Sequence, residues 1–111
     1  LKEMPNRDSL AQIADFLLPT EGIDTVVVFG ARRGKVILSA RTIRRDIHIG
    51  KILSSYWKNG LAGGHRELAG GQIPFDVILK EVPTDLEKAR DESLNEILNQ
   101  LKNILSFDVE E

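Results

Sequence analysis

Apolar residues follow helical spacing in some segments of the chain and strand spacing in others, and turn-forming residues separate these segments. Over residues 9–18 they recur every three or four positions, with Ser9 and Gln12 at the spacing of a capping box, which predicts a first helix. Residues 24–41 contain two short β-rich runs on either side of a turn that includes Gly34, a residue able to adopt a positive φ. These two runs predict an antiparallel β-hairpin.

The second half of the chain predicts two further helices and one strand. An apolar helical stripe ends at Trp57, and this position indicates a core residue rather than a platform for stacking bases. Residues 72–80 are rich in β-forming residues, although a proline within them favours an edge, a bend or a break. Thr84 and Glu87 have capping-box spacing before a long amphipathic helix over residues 84–105. The predicted fold class is α/β, a small mixed β-sheet packed by helices, with a long C-terminal helix.

Composition is that of an ordinary globular domain. The chain has 111 residues, of which 41% are apolar and 29% charged, so a single domain over residues 1–111 is expected. The absence of cysteine excludes cysteine catalysis and fits a reducing cytoplasm, which is the expected location. No apolar run reaches the ~20 residues of a membrane span, so no membrane partner is expected. Because the chain begins with Leu1, we expect it to be a fragment of a longer protein.

The net charge of −2 hides an uneven distribution of charge along the chain. Residues 32–66 contain nine basic residues and one acidic residue, Asp46, whereas residues 81–111 contain nine acidic and three basic residues. Each single charge is most simply a solvated surface group. The basic cluster as a whole predicts attraction of an anionic partner to the middle of the chain.

The most unusual segment is GLAGGHRELAGG, residues 60–71, in which glycines surround His65 and Arg66. If residues 65–69 form a short helix, its N-terminus, the preceding glycines, the imidazole and the guanidinium together predict a phosphate-binding corner. Gly70 and Gly71 would then end this helix in a left-handed turn. Glycine pairs also occur in loops without a ligand, and a lone histidine is more often structural or solvated, so both interpretations remain open.

Metal binding has less support in the sequence. The second histidine, His48, is expected to be a surface or capping residue, and no carboxylate cluster at ligand spacing accompanies either histidine. We therefore predict no metal-binding residue in this chain. Walker loops, dinucleotide-binding fingerprints and nucleophile elbows are also missing from the sequence.

Two stretches resemble one known family. GGHRELAGG is similar to the G-G-H-x-x-A-A-G motif of the DHH-associated domain, the C-terminal half of DHH-type phosphoesterases such as RecJ-like exonucleases and oligoribonucleases. SARTIRRDIHIGKIL resembles the strand of that family that ends in S-x-R-S/T, together with the helix start that follows it. The two stretches lie in the order of the family within residues 24–74. The chain departs from the family where Leu61 and Ala62 interrupt the glycines and where Leu68 replaces an alanine.

The resemblance implies a set of phosphate-contacting residues. The primary set consists of the loop residues and the arginine at the strand end: Gly63, Gly64, His65 and Arg41. The secondary candidates are Ser39, Arg44 and Arg66.

The resemblance also implies a function and partners. The domain is expected to bind single-stranded nucleic acid, an oligonucleotide, a cyclic dinucleotide or another nucleotide phosphoester, and to close over the DHH catalytic domain of the same polypeptide. That catalytic domain would hold Mn²⁺ or Mg²⁺, and this domain would bind no cofactor. Because the D-H-H signature of the catalytic domain is absent from this sequence, the resemblance implies no catalytic residue here and an inactive fragment. One alternative is a non-catalytic nucleic-acid-binding module like the C-terminal domain of alanyl-tRNA synthetases. Another is a homodimerising domain that uses the amphipathic C-terminal helix.

Overall fold

A four-stranded antiparallel sheet with helices on both faces forms the fold. The computed structural model describes residues 7–105, with side chains described from Ser9 onward. The helices are α1 (Arg7–Leu17), α2 (Ile49–Tyr56), α3 (Phe75–Ile78) and α4 (Leu86–Ile104), and the strands are β1 (Thr25–Arg32), β2 (Lys35–Thr42), β3 (Ala62–Gly64) and β4 (Leu68–Pro74). The order in the sheet is β1-β2-β4-β3. The predicted α/β class with a long C-terminal helix is confirmed, and all three strand pairings are antiparallel.

The hairpin of β1 and β2 is confirmed with nearly the predicted bounds. Its register pairs Thr25 with Thr42 at one end and Arg32 with Lys35 at the other. Arg33 and Gly34 form the turn with φ values of 53° and 80°, the left-handed conformations that a two-residue hairpin loop requires. The two-residue turn therefore fixes the register of the hairpin.

The main core lies between the sheet and the helices α2 and α4. Alternate residues of β2 point into it, as the two-residue period of a strand requires. Its buried members include Val36, Leu38, Ala40, Ile49, Leu53, Trp57, Ile73, Ile97 and Leu101. Trp57 is only 4% exposed, which confirms its predicted place in the core. Helix α1 packs against β1 and β2. Within residues 7–105, no helix is long and apolar enough to cross a bilayer.

Both predicted capping boxes are wrong. Helix α1 already begins at Arg7, so Ser9 lies inside it and cannot cap its start. Helix α4 is capped by Asp85 rather than Thr84, because the Asp85 carboxylate accepts a hydrogen bond of 3.0 Å from the Glu87 amide. Aspartate is as good a capping residue as threonine, so the motif alone could not fix the boundary.

The secondary structure predicted for residues 65–80 is only partly correct. Residues 72–74 lie in a strand and the predicted break at Pro74 is confirmed, but the rest is wrong. Residues 65–67 form a turn, and β4 begins at Leu68 where the sequence predicted a short helix. Gly70 and Gly71 do not end a helix but lie within β4, paired with Ser39 and Leu38 of β2. The strand predicted over residues 72–80 ends at Pro74, where the ring removes a backbone donor, and the short helix α3 follows.

Candidate functional site

The turn between β3 and β4 lies beside the end of β2. The His65 amide donates to the Leu68 carbonyl oxygen over 2.7 Å, which closes the turn. The Thr42 amide donates to the Glu67 carbonyl oxygen over 3.0 Å, which ties the turn to β2 just beyond Arg41. The turn that carries His65 and the strand end that carries Arg41 are therefore joined by the backbone ladder.

Helix α2 anchors this turn through its first backbone amides. The Ile49 amide donates to the Arg66 carbonyl oxygen over 3.0 Å, and the Gly50 amide donates to the His65 carbonyl oxygen over 2.9 Å. The next amide, of Lys51, donates to Nδ1 of His48 over 3.1 Å, which confirms the prediction that His48 is a capping or surface residue. The free amides at the start of a helix are thus satisfied by the protein itself and do not face an external anion.

Glycines near these hydrogen bonds let the backbone of α2 lie directly against the backbone of β3. A Cβ atom on Gly50 would collide with the peptide group of Gly64. Gly64 has a φ of +152°, and a Cβ atom there would lie 2.6 Å from both the Ala69 Cα and the Leu68 carbonyl oxygen. Part of the glycine content is therefore explained by close packing of α2, β3 and β4.

Arg41 lies at the end of β2, opposite Leu68 in the ladder with β4. Its Nε donates to Oδ1 of Asp15 on α1 over 2.7 Å, and its Nη1 donates to the Ala40 carbonyl oxygen over 2.9 Å. The Arg41 side chain is 13% exposed, whereas that of Asp15 is 64% exposed. The guanidinium is therefore held by two hydrogen bonds, and the side chain is largely buried.

Four arginines line one open cleft of about 670 Å³ next to this strand end: Arg41, Arg44, Arg45 and Arg66. The cleft is also lined by the carboxylate residues Asp15 and Glu67. Arg45 and Arg66 are exposed, and neither forms an ion pair with a carboxylate among residues 9–105. Basic side chains outnumber acidic ones, which favours an anionic ligand.

Arg44 differs from its neighbours because it already has a two-point partner. Its Nε and Nη2 donate to the two carboxylate oxygens of Asp46 over 3.0 Å and 2.6 Å. The hydrogen bond from Arg44 lowers the pKa of the Asp46 carboxyl below its ordinary value. Arg44 is thus held by a bidentate pair on the protein itself.

A second open depression, of about 550 Å³, lies over the glycine-rich strands. Gly63 and Gly64 line it together with Gly60, Gly70, Gly71 and Gln72. His65 is exposed and lies in the chain between Gly64, which lines this depression, and Arg66, which lines the arginine cleft. His65 itself is not among the residues that line either of these two cavities.

The structure brings together part of the predicted residue set. Arg41, Arg44 and Arg66 line one cleft, whereas Gly63 and Gly64 line the other depression. Ser39 is 3% exposed and pairs with Gly70 in the sheet.

Three residues of the site were missed by the sequence reasoning. Arg45 could have been found from the basic run that contains Arg44. Asp15 gave no signal, because its partner Arg41 lies 26 positions away. Gly50 gave none either, because a glycine near a helix start does not indicate which backbone it touches.

The chain matches the family of the DHHA1 domain over residues 2–106. It belongs to this family. The match confirms the resemblance seen in the glycine-histidine and arginine stretches, and identifies the chain as the DHH-associated accessory domain of DHH-family phosphoesterases. Such domains usually lie beside a DHH catalytic domain.

One similar protein is the uncharacterized protein MJ1633 of Methanocaldococcus jannaschii. It is 40% identical to this chain over 75 residues, which are 68% of the chain and 15% of MJ1633. The chain thus matches a small part of a much longer relative.

Proposed function

We propose that this DHHA1 domain binds the phosphate groups of a nucleotide phosphoester and holds them for cleavage by a DHH catalytic domain. The observation that carries the proposal is the cleft at the end of β2, in which Arg41, Arg45 and Arg66 stand beside the anchored turn that holds His65. Arginine suits this role because its planar group can donate two parallel hydrogen bonds to one phosphate.

The charges of the cleft support an extended anion rather than a single ion. Arg41 and Arg44 have carboxylate partners, whereas Arg45 and Arg66 offer charges without one among residues 9–105. Arg66 also donates through Nη1 to the Ile47 carbonyl oxygen over 3.4 Å, which directs its side chain along the start of α2. Several separated guanidinium groups fit successive phosphates of a short strand or a cyclic dinucleotide.

The glycine depression supplies the uncharged part of the proposed site. Gly63 and Gly64 have no side chains, so the sugar or base of a ligand can lie close to the backbone of β3. The exposed imidazole of His65 donates a hydrogen bond to the phosphoester near the cleavage point. Ser39 is buried and supports the strand beneath this surface.

Hydrolysis itself is assigned to the partner domain. Residues 9–105 contain no group of three or more His, Asp or Glu side chains that could hold a metal ion. When bound to the catalytic domain, such an ion would activate water and polarise the phosphate. The role of the present residues is to bind and orient the substrate.

An affinity measurement with matched charge variants tests the proposal. We expect Arg41→Ala to weaken binding of a 5′-phosphorylated, fluorescein-labelled single-stranded pentanucleotide about tenfold, the size of a charged hydrogen bond. The slope of log affinity against log salt should become shallower by about 0.7 for each phosphate that the variant no longer binds. Fluorescence polarisation over a salt series measures both quantities.

The control for this test is Arg33→Asn in the hairpin turn, at the opposite end of β2. It removes the same charge, and asparagine tolerates the left-handed backbone there. Equal reductions in affinity for the two variants would refute a specific site at Arg41. If Arg41→Ala weakens binding while His65→Ala does not, a nucleic-acid-binding module without a role in cleavage becomes the better assignment.

A further inference from the structure

We infer that Asp15 on α1 is a positioning residue, which fixes the Arg41 guanidinium so that its outer edge faces the phosphate. This inference rests on the proposed function. It assigns a contribution to the site from a helix that lies outside both sequence stretches that resemble the family.

The two hydrogen bonds of the Arg41 side chain leave some of its N–H donors without a partner among residues 9–105. An arginine side chain has five N–H donors, one on Nε and two on each terminal nitrogen. Nε–H is used by Asp15, and one N–H of Nη1 is used by the Ala40 carbonyl oxygen. Both N–H groups of Nη2 and the second N–H of Nη1 have no further partner among residues 9–105, so these donors remain for the oxygens of a phosphate.

The neighbouring pair of Arg44 and Asp46 has a different geometry, because its carboxylate occupies the whole guanidinium edge beside Nε. Asp46 contacts Arg44 through two oxygens, one on Nε and one on Nη2. Asp15 contacts Arg41 through Oδ1 on Nε. A single contact at Nε, together with the backbone contact at Nη1, fixes the direction of the guanidinium plane and leaves Nη2 without a partner among residues 9–105.

Burial makes this orientation significant. The Arg41 side chain is 13% exposed, so it cannot swing freely toward a ligand, while the Asp15 carboxylate is 64% exposed at the side of the cleft. If Asp15 acted only through its charge, it would repel a phosphate. A repulsive role predicts that removal of Asp15 strengthens binding, whereas a positioning role predicts that its removal weakens binding. The direction of the change in affinity therefore distinguishes the two roles.

The test compares two substitutions of Asp15 with one of Glu67 in the 111-residue chain, using the same labelled pentanucleotide. Asp15→Ala removes the acceptor for Nε–H and should weaken binding by up to about fivefold, the upper end of the range for ion pairs at a protein surface. Asp15→Asn retains an acceptor oxygen and should restore affinity to the original value or better. Glu67→Ala removes a carboxylate from the same cleft and should strengthen binding.

Further variants separate positioning from folding. Alanine favours a helix interior, so thermal unfolding should show α1 intact in Asp15→Ala. In an Arg41→Ala background, Asp15→Ala should no longer weaken binding, because its effect passes through Arg41.

Three results would overturn the inference: stronger binding in Asp15→Ala, an Asn variant as weak as the Ala variant, or the same weakening in the Arg41→Ala background. If the Arg41→Ala variant instead binds with unchanged affinity, Arg41 does not contact the phosphate. The proposed phosphate contact and the inference would then both fail. The two failures are thus told apart by the single Arg41 variant.

Discussion

The two halves of the sheet are built in different ways. The β1–β2 half consists of long strands whose alternating side chains fill a core, with Val36, Leu38 and Ala40 fully buried. The β3–β4 half consists of shorter strands rich in glycine and alanine, which contact α2 and each other through the backbone. One half is held by large side chains that fill the core. The other half, although Ile73 of β4 also lies in the core, depends in addition on glycines that let its backbone approach α2.

This difference places the well-packed β1–β2 hairpin beside the open surface of the glycine-rich strands. The side-chain half fixes the position of Arg41 through eight consecutive paired positions of the hairpin. The glycine half leaves bare backbone around His65, and its turn is held by two amides of α2. The proposed site lies where the two halves meet. Because the halves are built differently, removing side-chain volume should destabilise the first half, and adding volume should destabilise the second.

The largest effect should follow from removing volume in the side-chain half. Leu38 is completely buried and packs in the core between the sheet and the helices. We expect Leu38→Ala to lower the free energy of unfolding by about 2–5 kcal/mol, because the cavity cannot be filled by its neighbours. Urea unfolding followed by circular dichroism measures this change.

The matched control is Lys35→Ala on the same strand, where the side chain is exposed. Its effect should stay within about 0.5 kcal/mol. If Leu38→Ala were as mild as Lys35→Ala, the hairpin half would not depend on packed volume, and the contrast between the halves would fail.

The same contrast explains which parts of the fold could be predicted from sequence. The hairpin was predicted because its β-branched residues and its Arg33-Gly34 turn each specify an antiparallel pair. A short helix over residues 65–69 was predicted because the pattern H-R-E-L-A permits one, whereas β4 there is stabilised by pairing with β2 rather than by its own propensity. The glycines signalled a close approach, but not that Gly50 is the partner of Gly64.

The candidate site, like the fold, could be predicted from the sequence only in part. The family motifs supplied Arg41 and the glycine-histidine residues, and the family itself is confirmed by the match. Asp15 could not be predicted, because an ion pair between α1 and β2 depends on the tertiary packing of elements that are distant in sequence.

A smaller effect should follow from adding volume in the glycine half. Gly50 lies in the first turn of α2, where a methyl group would collide with the Gly64 backbone. We expect Gly50→Ala to lower the free energy of unfolding by about 1–3 kcal/mol, since backbone atoms cannot move aside as a flexible side chain would. The Ile49 amide, which donates to the Arg66 carbonyl oxygen, should also exchange its hydrogen faster.

The control for this variant is Ser55→Ala, at an exposed position of the same helix. It should change stability little, because the position is exposed and alanine is a good helix former. A Gly50→Ala variant that is more stable than the original chain would show that helix propensity outweighs the contact, and would contradict the close approach of α2 to the glycine half.

The smallest effect concerns the segment that joins the two halves, residues 43–48, where Asp46 pairs with Arg44. The hydrogen bond from Arg44 lowers the pKa of Asp46 in the folded chain below its ordinary value of 3.8. The pair therefore contributes stability above the unfolded-state pKa, and this contribution disappears as the pH falls through the lower folded-state pKa. Asp46→Asn should reduce stability slightly at neutral pH, and the difference from the original chain should shrink in acid.

Urea unfolding at neutral pH and at acidic pH, each at low and high salt, measures this difference. Salt should reduce it, because both groups are near the solvent. Glu21→Gln, at an exposed position before β1, controls for the removal of one negative charge. A difference for Asp46→Asn that grows as the pH falls would contradict the pairing, because a protonated Asp46 can no longer form the charged contact that holds Arg44 beside the junction of the two halves.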